Sequence, residues 1–307
     1  MSVYITIDGG TSSTRVSLVE NMEIICTEKL DIGARASIES REKYIGAIKD
    51  AVDKVLLKSK EKPERILASG MITCEFGLCN LPHIEAPAGL HELHEGMHET
   101  VISEISDIPF VFMRGVRVNS DDFDKVDMMR GEETELMGIL NEEYGECIYV
   151  LPGSHSKIIK TDKTGRITDF STMLTGEMVG ALSQGTILKD AVDLKNSEID
   201  SDYLLKGFDY AKDKGVNKAL FKVRILKNIF GCTNDEIYSF FMGVILCDEI
   251  EYILNGGAET VVLGGKAQIK KAMAIILENR GDKKVVEIDE ETVDYSTSIG
   301  MIRIYEW

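Results

Sequence analysis

Two stretches of this chain run the same course, and that repeat constrains the fold more than anything else in the sequence. Each starts with a β-branched strand, bends at glycine and hydroxyl residues, and continues through a second strand, a turn and a third strand. The first copy opens with Val3-Tyr4-Ile5-Thr6-Ile7-Asp8, bends at Gly9-Gly10-Thr11-Ser12-Ser13-Thr14, and goes on through 15–20 and 24–29. The second opens with Glu146-Cys147-Ile148-Tyr149-Val150-Leu151 and bends at Pro152-Gly153-Ser154-His155-Ser156. It continues through 157–161, a turn at Asp162-Lys163-Thr164-Gly165, and 166–174. A period-two apolar pattern interrupted by glycine marks strands joined as a meander. A meander occurring twice in 307 residues predicts two α/β domains, over 1–140 and 141–307.

The remaining segments read mostly as helix. Residues 41–58 carry Tyr44, Ile45, Ile48, Val52, Val55 and Leu56 at helical spacing. Residues 177–188 and 223–229 are amphipathic, and 233–254 reads as one long apolar-rich helix. The stretch 65–71 is another strand, and 71–89, with Pro82 and Pro87, is a long loop. A last α/β unit runs from the strand 260–263 through Gly264-Gly265 and a helix at 267–278 to a strand at 285–288.

With 35 basic against 52 acidic residues the net charge is −17. That field opposes a nucleic-acid partner, and an anionic substrate would need local cations or helix N-termini. The cysteines, Cys26, Cys74, Cys79, Cys147, Cys232 and Cys247, are scattered without a CxxC pair, which suits reduced thiols. No uncharged run approaches the ~20 residues of a bilayer span. A cytoplasmic protein without a membrane partner is expected, and self-association is left open.

Asp8-Gly9-Gly10-Thr11 combines an acid at a strand end with glycines that admit a phosphate to the backbone. The same residues make an ordinary β-turn. Pro152-Gly153-Ser154-His155-Ser156-Lys157 repeats the context and adds two cationic donors, so the two loops are expected to close on one polyphosphate. Gly264-Gly265 between a strand and a helix offers a platform for a base and sugar, and is also common packing geometry. Met129-Arg130-Gly131-Glu132-Glu133-Thr134-Glu135 opens a helix, where acids stabilise the first turn; it also pairs a general-base carboxylate with an arginine. His94-Glu95-Gly96-Met97-His98, with His91 upstream, matches a zinc-protease pattern. Gly96 weakens the helix that would have to present both histidines, so a solvated helix face is the better reading. Asp121, Asp122 and Asp124 read as a solvated loop and helix start, with Asp121 a minor candidate for a substrate or Mg²⁺ contact.

Two such loops and a late strand–Gly-Gly–helix resemble the phosphate and adenosine elements of the actin-like ATPase and sugar kinase superfamily. Within it the chain resembles the 2-dehydro-3-deoxygalactonokinases. The carrying residues are Ile7-Asp8 through Arg15, Ser69-Gly70-Met71, Ala86-Pro87-Ala88-Gly89, and Met129 through Thr134 with Leu136 and Gly138. They continue with Leu151 through Lys157, Met173-Leu174-Thr175-Gly176-Glu177, Phe221, Val223 and Arg224. The chain departs from the family at Gly9, where a tryptophan is usual, at Ser13, where an asparagine is usual, and across the 77–83 loop.

The resemblance implies a two-domain α/β fold of the ribonuclease H-like, actin-like ATPase type, with the duplicated meander and an interdomain cleft. Sugar binding and the first phosphate loop fall to 1–140, nucleotide binding to 141–307. It implies ATP-dependent phosphorylation of the C6 hydroxyl of 2-dehydro-3-deoxy-D-galactonate, or of a related 2-keto-3-deoxy acid, in galactonate breakdown. Asp8 would hold Mg²⁺ through water. Gly10, Thr11, Ser12, Gly153, Ser154, His155, Ser156 and Lys157 would hold the phosphates, and Gly264 and Gly265 the adenosine. Glu132 would be the base, with Glu133 the alternate, and Arg130, Arg224 or Arg15 would meet the substrate carboxylate. The alternative is an ATPase switch of the same superfamily, a redox-cluster activator or an actin-like protein, without sugar kinase activity.

Overall fold

The two meanders become the left halves of two sheets with one strand order. In the computed structural model, which describes residues 2–265 and 267–307, the first sheet contains β1 (Val3–Gly9), β2 (Thr14–Glu20), β3 (Glu23–Leu30) and β4 (Arg65–Gly70). A small three-stranded sheet is formed by β5 (Ile84–Glu85), β8 (Val116–Val118) and β9 (Asp127–Met129), in the order β5-β8-β9. β6 (His98–Ile102) and β7 (Ser106–Phe112) complete the first sheet, whose order is β3-β2-β1-β4-β7-β6. The other large sheet has β10 (Cys147–Leu151), β11 (Ser156–Thr161), β12 (Ile167–Met173), β13 (Thr260–Leu263) and β14 (Lys284–Glu287), ordered β12-β11-β10-β13-β14. In each, the first strand pairs antiparallel with the second and parallel with the fourth.

The helices run α1 (Ala36–Glu39), α2 (Arg41–Leu56), α3 (Leu90–Glu95), α4 (Glu132–Ile139), α5 (Thr175–Gly185) and α6 (Ser201–Lys214). They continue with α7 (Val216–Ile225), α8 (Asn234–Ile245), α9 (Cys247–Leu254), α10 (Ala267–Arg280) and α11 (Glu290–Tyr305). Two compact units result. One comprises 1–145, 162–169 and 291–307, the other 146–161 and 170–290. The first unit thus takes back the end of the chain, which the sequence division had placed with 141–307. Its core gathers Ile5, Ile7, Leu18, Tyr44, Ile48, Ile66, Phe110 and Phe112. The second unit's core gathers Val150, Ile158, Phe208, Phe240, Phe241, Val261 and Met273.

The helix read over 233–254 is two helices meeting at Leu246, each with a continuous buried face. Ser40 starts α2 by accepting from the Lys43 N–H, and Thr233 starts α8 with a capping box that uses Glu236. Among the described residues no helix is long and apolar enough to cross a membrane.

Candidate active site

In the first unit the parallel pairing of β1 and β4 sets Asp8 opposite Ser69 and Gly9 opposite Gly70 at the carboxyl ends of both strands. Gly70, at φ +87°, lies so near the Gly9 carbonyl that a Cβ would come within 2.6 Å of it. Gly131, at φ +114°, approaches Gly70 Cα, where a Cβ would stand at 3.2 Å. Only glycine takes these backbone angles without strain, so this contact seats the start of α4 on the strand ends. A buried hydroxyl pair, Ser69 Oγ and Thr134 Oγ1 at 2.7 Å, secures it. Gly9 itself faces Ile72, whose Cβ would be 2.7 Å from an added Cβ, so a larger side chain here would have to displace Ile72. The 10–13 bend is held by Gly10 N–H donating to Ser13 O (2.9 Å) and by Ala34 and Arg35 N–H donating to Gly10 O and Thr11 O. Thr11 and Ser12 are exposed.

Three carboxylates meet here with one cation. Arg15 Nε lies 3.5 Å from Asp8 Oδ2, and the Asp8 side chain keeps about a quarter of its surface. Burial pushes the Asp8 pKa up, against the pull of Arg15. Glu135 is pushed up to about 8 by burial, by Asp8 and by Glu132, again opposed by Arg15. Such crowding favours a bound cation. Among the described residues no group of three or more His, Cys, Asp or Glu is placed to hold a metal ion directly.

The two glutamates left open by the sequence stand apart. Glu133 is fully buried, accepts from the Gly131 N–H with both oxygens at 2.9 Å and from Thr134 Oγ1 at 3.1 Å, and burial raises its pKa to about 8. Glu132 is half-buried, and its Oε2 accepts from the Arg130 N–H at 3.0 Å.

In the second unit the sequence motifs also converge. Gly264 N–H donates to Val150 O (2.9 Å), and Gly265, at φ +73°, packs on Pro152 with 2.7 Å for an added Cβ. Gly176 lies against the Gly153 carbonyl, where a Cβ would stand at 2.2 Å, and Glu177 N–H donates to Ser154 O. The 153–156 loop therefore rests on the N-terminus of the eleven-residue α5, a place that favours anions. His155 Nε2 lies 3.1 Å from Glu177 Oε1 on the surface, and Lys157, nearly buried, donates to Thr172 Oγ1. Beneath the loop, Ser156 Oγ and Thr175 Oγ1 each donate to one oxygen of Glu249, a carboxylate 2% exposed. Its pKa is raised by burial against those two bonds.

Sequence reasoning passed over Glu249. The signal was there: it lies on the apolar stripe of Leu246, Ile250 and Ile253, where only a partnered acid is tolerated. Each predicted carboxylate partner already has company. Arg130 Nη1 donates to the Thr73 carbonyl and hydroxyl, both at 2.7 Å, and Nη2 to Leu81 O at 3.1 Å. Arg224 Nη1 donates to Ile187 O, and Arg15 pairs with Asp8. The zinc-like histidines do not converge. α3 ends at Glu95 and 98–102 is a strand; His94 Nδ1 contacts Ile304 O at 2.9 Å and His91 packs on Trp307. Asp121 is exposed.

Solved structures place this architecture in a class. The chain matches component A of (R)-2-hydroxyglutaryl-CoA dehydratase from Acidaminococcus fermentans with a TM-score of 0.51 at 14% identity, covering 99% of this chain and 97% of that one. The shared architecture is the two-domain α/β fold of the actin-like ATPases and sugar kinases. A family model described as 2-keto-3-deoxy-galactonokinase matches residues 8–299, and the chain belongs to that family. A curated relative, the probable 2-dehydro-3-deoxygalactonokinase DgoK1 of Rhizobium meliloti (strain 1021), is 27% identical over 309 residues, 94% of this chain and 93% of that protein. A crystal structure from Sinorhizobium meliloti, provisionally designated a 2-dehydro-3-deoxygalactonokinase protein, matches with a TM-score of 0.80 at 23% identity over 98% of this chain and 97% of that one. The chain is thus a carbohydrate kinase, and the ATPase-switch alternative is not favoured.

Proposed function

We propose that this kinase transfers the γ-phosphoryl group of MgATP to the C6 hydroxyl of 2-dehydro-3-deoxy-D-galactonate or a close 2-keto-3-deoxy acid. The observation that carries the reading is the contrast between Glu132 and Glu133 on one helix turn. Glu132 is the base: half-buried, it takes the proton of the C6 hydroxyl as that oxygen attacks phosphorus. Glu133, sealed and doubly bonded to the Gly131 N–H, fixes the turn that presents Glu132. Asp8 would hold magnesium through water, which would supply positive charge to offset the charge developing on phosphate.

Within the first unit the Gly10–Ser12 bend offers N–H and hydroxyl donors to phosphate, and within the second unit the Gly153–Ser156 loop on α5 does the same, while Gly264 and Gly265 support the adenosine. His155 and Lys157 add positive charge at the second loop, and Glu249 sets its distance from α5. The first unit accordingly takes the sugar acid and the second the nucleotide. A cytoplasmic catabolic role follows from the substrate class.

The test is coupled ADP release with MgATP across a panel of 2-keto-3-deoxy acids. Turnover confined to the galacto acid is expected. Turnover of another acid alone would move specificity to the altered 77–83 loop. No acid-dependent turnover by folded, ATP-binding protein would overturn the reading.

A further inference from the structure

Beyond β7 the chain places an arginine that no motif singled out. Met113 N–H donates to Ala68 O at 2.8 Å, so the strand direction of β7 continues beside β4 past Phe112. Arg114 follows at once, at the carboxyl edge of the parallel trio β1, β4 and β7, the edge where open α/β sheets bind ligands. Gly115 then packs so tightly on Met129 O that a Cβ would stand 2.4 Å away, which fixes Arg114 beside the segment leading to Glu132.

The state of its side chain is unusual. Arg114 Nε is shut off from solvent and has no hydrogen-bond partner, and among the described residues the guanidinium makes no ion pair or ring contact. The residue as a whole is half-buried, and a donor nitrogen shut off from solvent is costly to leave unpaired. This chain has 52 acidic residues with which to pair it. Its neighbours are supplied: Arg117 meets Glu85 at 2.5 Å, and Arg130 is taken by Thr73 and Leu81. His83 is held down to about 4 by burial and by Arg130 and Arg117, and so stays neutral at physiological pH.

We propose that Arg114 receives the carboxylate of the sugar acid and thereby selects acids over neutral sugars. The inference rests on the kinase reading above. The dimensions agree. Two strand spacings separate β1 from β7, about 10 Å. Five C–C bonds of about 1.5 Å carry C1 less than about 8 Å from C6. A hydroxyl over Asp8 and Glu132 therefore leaves the carboxylate within reach of an arginine side chain just past the end of β7. The planar fork can bind it with two parallel hydrogen bonds, which a lysine cannot do.

The experiment compares the acid with its uncharged carboxamide in the wild type, Arg114→Gln and Arg114→Lys, by coupled ADP release. Wild-type turnover of the acid must be seen first; its failure would strike the kinase reading and not this one. Arg114→Gln is expected to raise KM for the acid by about 10- to 100-fold, with KM for ATP within about twofold. Its preference for acid over carboxamide should vanish. Arg114→Lys should fall between, and it carries the test if Arg114→Gln does not fold. An acid KM within twofold of wild type in a folded variant, or an acid preference that survives Arg114→Gln, would overturn the assignment.

Discussion

The two bends that began as copies of one pattern differ in what lies beneath them. The first, after β1, is backed by three carboxylates and one arginine: Asp8, Glu132 and Glu135 with Arg15. The second, after β10, shows His155 outward, keeps Lys157 buried against Thr172, and holds the buried acid Glu249 engaged with Ser156 and Thr175. One loop gathers negative charge that needs a metal or a proton to relieve it. The other uses negative charge only as a hidden brace and leaves its amides and cations for phosphate. On the proposed function, the same backbone would be divided between proton and metal chemistry on one side and anion binding on the other.

Three changes would break or sharpen that division. Glu132→Gln removes the base from the acidic side; kcat should fall by about 10²- to 10⁴-fold with KM for ATP nearly unchanged, read by coupled ADP release. Equal losses in kcat and in ATP affinity would dissolve the contrast. Glu249→Ala removes the brace on the other side. KM for ATP should rise about tenfold while KM for the sugar acid holds, and Glu249→Gln, which still accepts one hydroxyl, should recover most of the loss.

The smallest effect is on stability. Glu133 has its pKa raised in the folded chain to about 8. The folded state then binds more protons than the unfolded one between the ordinary glutamate range and that value, so stability declines as pH rises through the window. Thermal melts should show Tm falling between pH 6 and 8.5, and Glu133→Gln should flatten the slope. At about 2–4 °C per kcal/mol for domains of 150–250 residues, the change is measurable. A slope unchanged in Glu133→Gln would move the effect to Glu135.

The strands and bends were legible because period-two apolar runs broken by glycine carry their own geometry. Val3–Gly9 and Cys147–Leu151 fell where alternation and β-branching put them. The 233–254 helix was overextended because nothing local at Leu246 announces a break. Just before it, Gly207 and Gly243 let α6 and α8 touch backbone to backbone, a contact that no local pattern announces. In the site, residue types were readable but their partners were not. Glu132 and Glu133 are the same side chain in sequence, and only the fold shows one half-buried and the other sealed. Arg130 read as free charge, yet its nitrogens are spent on a loop 49 to 57 residues away. Arg114 carries no motif; its lack of a partner exists only in three dimensions.

The last long helix bears on the order of events during synthesis. α11 crosses α4 through facing glycines: a Cβ on Gly138 would meet Ser296 O and one on Gly300 would meet Thr134 O, both at 1.9 Å. Arg303 then donates to the Met137 and Leu140 carbonyls at the end of α4. Residues 170–290 emerge from the ribosome before this helix exists, so the second unit can assemble while α4 still lacks its covering. The segment bearing Glu132 is locked in place only once residues 291–305 have been made. A nascent chain stalled short of them would have the second unit's segments complete while the turn bearing Glu132 still lacked its covering helix.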